Sequence, residues 1–140
     1  MDFAVFRQRY LAHQRAMLAT TGLLRGRLRD MLGHGPSALA RLAEVDAVME
    51  STLSPREQIA LAAAPALLEQ HFLRLRPAEA DAFPASATPT DAAQMPAWLQ
   101  TFAQDMQRAL LAELDLRFQP IDALLAALTP SLMPSCQEPS

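Results

Sequence analysis

Residues 110–130 read LLAELDLRFQPIDALLAALTP. Two leucine-rich runs flank Gln119-Pro120, with Glu113, Asp115, Arg117 and Asp122 set among them. That is too many charges for a membrane span. A helix lying on a membrane surface would prefer a basic polar face, and this one is largely acidic. Before the proline, Leu99, Phe102, Met106, Leu110 and Leu114 share one helical side, and Ile121, Leu124 and Leu128 continue it afterwards. A stripe that keeps its face across a proline reads as one wall of a core, a bent or restarted helix over about 97–128. The alternative for the same stripe is an exposed groove for a partner.

Composition agrees with a helical core. The 140 residues suffice for one domain with a sizeable core. Hydrophobic residues make up 51%, but 27 of them are alanine, so large core-formers are fewer than the fraction suggests. Ala, Leu, Gln, Glu and Arg dominate while Gly, Val and Ile are scarce, which is a helix-forming bias. All twelve basic residues are arginine. Residues 1–41 carry seven of them against Asp2 and Asp30, and the remainder carries thirteen acids against five arginines, for a net charge of −3.

Working outward, a first helix is expected over 3–32. Phe3, Tyr10, Met17, Leu24 and Met31 recur every seven residues, with Phe6 and Leu28 beside them, as in a coiled coil. Gly22 and Gly26 mark either a thin point or a packing notch. The run GHGP at 33–36 ends that helix. Ser37 can cap a second helix over 38–53, with Leu39, Leu42, Val45 and Met49 inward. Ser54-Pro55-Arg56-Glu57 has the form of a capping box with proline at the first helical position, so a third helix is expected over 55–76, kinked at Pro65. Pro77, Pro84, Pro89 and Pro96 punctuate a linker over 77–96, and residues 131–140 read as a disordered tail. The expected architecture is an all-α, four-helix-bundle-like single domain over 1–130. Its two long helices, one and four, are antiparallel neighbours, and the shorter pair packs across them.

No reaction chemistry emerges from the residues. His13, His34 and His71 are isolated and form no metal-ligand spacing. Cys136, the one cysteine, lies in the proline-flanked tail without a fixed base, and no phosphate-binding glycine loop is present. The longest wholly apolar run, IALAAAPALL at 59–68, is far short of the ~20 residues of a membrane span. No enzyme, cofactor or metal is expected, and the lone cysteine with a charged N-terminus points to the cytoplasm. Arg25, Arg27 and Arg29 in RGRLRD raise nucleic-acid binding as an alternative. The plainer reading sets helix one's basic edges against the acidic edges of helices two and four.

The blocks FRQRYLAHQRAM, LLRGRLRDML, ALARLAEVDAVME and ALLAELDLRFQPIDALLAAL together resemble the signature blocks of an uncharacterised proteobacterial family known only as a domain of unknown function. The resemblance spans most of the chain except the linker and the last ten residues, and residues 109–128 are its most specific part. It implies a helical fold and brings no activity, cofactor or site residue. Members carry further N-terminal sequence, so the resemblance implies a short version or a piece of a longer protein. With no reactive constellation, the expected function is a non-enzymatic helical interaction module, an adaptor or assembly factor. It would meet a protein partner or a second copy (a homodimer) through helix one. Tyr10, Arg25 and Arg29, with Trp98 and Phe102 as aromatic anchors, are the candidate interface residues.

Overall fold

A computed structural model describes residues 2–77 and 95–132. Among them are four α-helices and no strand: α1 (Phe3–Gly33), α2 (Ser37–Leu61), α3 (Ala64–Leu75) and α4 (Ala97–Leu132). The all-α fold is as the sequence predicts. Residues 78–94 of the expected linker and 133–140 of the expected tail lie outside the described residues, and α4 takes in the first two tail positions.

The helix ends follow local chemistry, with corrections. Asp2 caps α1, its side chain accepting from the Ala4 N–H at 3.2 Å. At the other end the Gly35 N–H donates to the Leu32 carbonyl at 3.1 Å, and the Pro36 carbonyl then takes the N–H groups of Leu39 and Ala40 to open α2. Ser37 is therefore the first helical residue, not the cap. The motif at 54–57 starts no helix either: α2 runs through it with Pro55 inside. Pro55 is solvent-exposed, so its missing N–H and ring are accommodated on the outer side, while Glu50 and Leu61 hold the helix to α1 on either side of it. The break comes at Ala62–Ala63, and Pro65 occupies the first turn of α3, where its missing N–H costs nothing. Pro120 lies within α4 without ending it.

That break explains the largest departure in topology. Gln14 bonds to Leu61, and Phe3 packs on Phe72, so α3 continues the descent of α2 along α1. The two short helices form one return leg. α4 then begins beside Phe3 and Phe72 and runs parallel to α1: Phe3 meets Phe102, Tyr10 meets Glu113, and Leu28 and Leu32 share a cluster with Ile121, Leu124 and Leu128. The expected antiparallel pairing of helices one and four is thus corrected. A chain with three legs brings its first and last helices parallel.

The core is apolar at both ends and polar between. One end packs Leu28, Leu32, Ala43, Ile121, Leu124 and Leu128. The other is an aromatic nest of Phe3, Phe72, Leu99 and Phe102, flanked by Phe6 and Trp98. Phe72 and Phe102 meet edge-on at 5.0 Å, and Phe6 meets Phe102 edge-on at 5.1 Å. Such pairs contribute about 1 kcal/mol each beyond their burial.

Burial on α1 follows Phe3, Tyr10, Thr21, Leu28 and Leu32, eight turns at about 3.6 residues each. A strict heptad drifts ~20° per repeat on a straight helix, so the expected stripe rotates out of the core. Met31, at its far end, is 54% exposed. Nothing lies within 4 Å of a Cβ built at Gly22 or Gly26, so these glycines form no packing notch.

Candidate functional site

α2 is rotated away from the orientation its apolar residues suggest. Leu39, Leu42, Val45 and Met49 are expected inward; Leu39 does pack against the core, but Val45 is 54% and Met49 49% exposed. The buried side chains of this helix are Ala43 and Asp46. Asp46 fixes the rotation. Arg25 grips it with two hydrogen bonds, Nη2 to Oδ1 at 2.7 Å and Nε to Oδ2 at 2.9 Å, and Arg29 Nη1 adds a third at 3.0 Å. Glu50, one turn on, takes Arg29 Nη1 at 2.5 Å and lies 3.0 Å from Arg25 Nε. Forked guanidinium–carboxylate pairing of this kind is directional as well as strong. Burial alone would raise the Asp46 carboxyl, but the hydrogen bonds and charges of Arg25 and Arg29 hold it below the usual carboxylate range.

The consequence is an unpartnered apolar face. Leu42, Val45, Met49 and Leu53 fall within a ~80° arc of α2 and are all exposed. Beside them a groove of about 170 Å³ lies between the helix pair, with Pro120, Ala123 and Leu124 as its α4 wall. Leu42, Val45 and Met49 form the opposite wall, and Arg25 and Asp46 border it.

A second feature lies at the mid-height of the bundle. Glu113 and Arg117, on α4, are only 5% and 9% exposed. The Tyr10 hydroxyl donates a short hydrogen bond to Glu113 Oε1, and Gln14 Nε2 donates to the same oxygen at 2.7 Å. Burial first, then the hydrogen bond and charge of Glu113, push the Tyr10 hydroxyl well above its ordinary value of 10.0. Gln14 also reaches the Leu61 carbonyl at 3.2 Å and so ties α1 to the end of α2.

The five predicted interface residues scatter. Tyr10 and Phe102 are buried in the fold and present no surface. Arg25 and Arg29 are engaged by Asp46 and Glu50, the arrangement in which helix one's basic edge lies against an acidic edge of helix two. Trp98 is half-buried, its ring 5.3 Å from Phe72 at the aromatic end. The sequence reading missed Asp46 and Glu50 as the anchor of α2. Their spacing of four, matched by the spacing of Arg25 and Arg29, was the available signal. It also missed His71, whose Nε2 lies 2.8 Å from Asp105 Oδ2, since that pair is assembled only by packing of α3 on α4. His13 is exposed. Among the described residues no group of three or more His, Cys, Asp or Glu side chains is placed to hold a metal ion. No described helix is long and apolar enough to cross a membrane.

Residues 1–130 match the family described as "Protein of unknown function (DUF3348)". The chain belongs to that family. Comparisons with curated proteins and with solved structures gave no match. The family thus fixes kinship for nearly the whole chain, from α1 to all but the last two residues of α4, and assigns no residue a role.

Proposed function

We propose that the chain is a non-enzymatic protein-interaction module, an adaptor or assembly factor working in the cytoplasm, and that it contacts its partner through α2. One observation carries this reading. α2 spans 25 residues, buries only Ala43 and Asp46, and exposes Leu42, Val45, Val48, Met49, Leu53 and Ile59. Single exposed apolar side chains are ordinary, whereas a contiguous face marks a contact surface. A stripe with anchors three and four residues apart beside an apolar groove suits an amphipathic helix of another protein. A second copy of the chain would meet the same stripe. The proposal moves the contact from helix one, where Tyr10 is buried and Arg25 and Arg29 pair with Asp46 and Glu50. The nucleic-acid alternative gains nothing from Arg25 and Arg29, whose guanidinium groups face carboxylates.

Site-specific photo-crosslinking in cells of the source organism tests the surface. A photoreactive residue at Met49 should give one dominant protein adduct. The same residue at Met31, exposed on α1, should not. Adducts from Met31 with none from Met49 would return the contact to helix one and overturn the proposal.

A further inference from the structure

Arg117 is a buried cation without a hydrogen-bond partner among the described residues. Its side chain is more than nine-tenths buried. The nearest acid, Glu113, stands one turn back with its Oε2 3.9 Å from Nη2, beyond hydrogen-bond reach. Glu113 commits its other oxygen to Tyr10 and Gln14. Both the Arg117 Nε and the Glu113 Oε2 are buried without a partner. Buried polar groups are paired in the great majority of cases, and a guanidinium has five donors to satisfy.

Arg117 borders a cleft of about 390 Å³ between α1, α4 and the end of α2. Among the described residues the charged side chains lining it are Arg15 and Arg117, and none is a carboxylate. Arg15 is exposed and uses only its Nε, on the Leu11 carbonyl at 3.3 Å, so its terminal amino groups are available. Leu11, Leu18 and Leu61 supply an apolar wall. Two cations beside a leucine-lined hollow of this size match a small ligand with a charged head and an apolar body. The geometry points to a binding site for a small organic carboxylate, its head on Arg117 with Arg15 at the rim and its hydrocarbon part against Leu11, Leu18 and Leu61. Val45 and Met49 border a different groove, so the site stands independently of the α2 contact.

Calorimetric titration of the full chain with octanoate tests this, with octan-1-ol and inorganic phosphate as separate probes. Octanoate should bind at one site, about tenfold or more tighter than either probe. The Glu113→Gln/Arg117→Gln double variant removes the pair without stranding a buried charge and should lose binding while keeping its helicity. Arg15→Gln, on an exposed side chain, should fold normally and weaken binding about threefold. Failure of octanoate to bind at millimolar concentration would overturn the site. So would equal binding of octan-1-ol, equal binding of phosphate, or unchanged affinity in both Arg15→Gln and a folded double variant.

Discussion

Asp46 lies under two guanidinium groups and accepts three hydrogen bonds from them, the densest polar contact in the described chain. Its folded pKa is depressed, so the stabilisation it confers is present above the ordinary aspartate value of 3.8 and is lost as pH falls through the lower folded value. Thermal melts of Asp46→Asn should show a loss of about 3 kcal/mol at neutral pH. The variant should also lose less further stability than wild type between about pH 5 and about pH 2. An equal acid dependence in both would place the sensitivity elsewhere. Tyr10 titrates in the opposite sense. Its folded pKa is raised, so the stabilisation holds below 10.0 and is lost as pH rises above it. Because it is the one tyrosine of the chain, the absorbance of tyrosinate reports it alone. Ionisation of the folded protein should be absent at pH 10.0 and appear only well above it, while Glu113→Gln should bring it down.

Among the elements, α4 was the most legible. Its apolar stripe crosses Pro120 as the sequence predicts, and Leu99, Phe102, Ile121, Leu124 and Leu128 are buried. α2 was the least legible, because hydrophobic periodicity marks which residues share a face but not which face meets a neighbour. Here the ion cluster decides, and it leaves Leu42, Val45 and Met49 exposed while Asp46 is buried. Whether Glu113 and Arg117 lie inward could not be read either: a charged pair four apart looks the same on a solvated helix. The 54–57 motif misled because capping boxes describe helix starts, and the anchors at Glu50 and Leu61 outweigh the local preference. Pro55→Ala separates the two readings. With Pro55 inside α2, the substitution should stabilise by about 1–3 kcal/mol, read as a higher melting temperature. At the first position of a helix the same change would be neutral or slightly destabilising.

The whole molecule is organised by one break. The alanine-rich run ending in Pro65 gives no sign from periodicity that the helix stops at Ala62–Ala63 and resumes in the same direction. The number of legs, and with it the parallel course of α1 and α4, was therefore hidden. The three legs enclose apolar clusters at both ends with a polar layer between them, so α2 is held largely by charge and leaves its own apolar face to solvent. That face is the centre of the functional account. The most direct measurement compares stoichiometric capture from source-cell lysate by wild type, by Val45→Glu/Met49→Glu, and by Leu24→Glu/Met31→Glu. All three should be equally helical by circular dichroism. One protein should be held by wild type and by the α1 variant, and lost from the α2 variant. The same protein retained by the α2 variant and lost from the α1 variant would contradict the α2 contact.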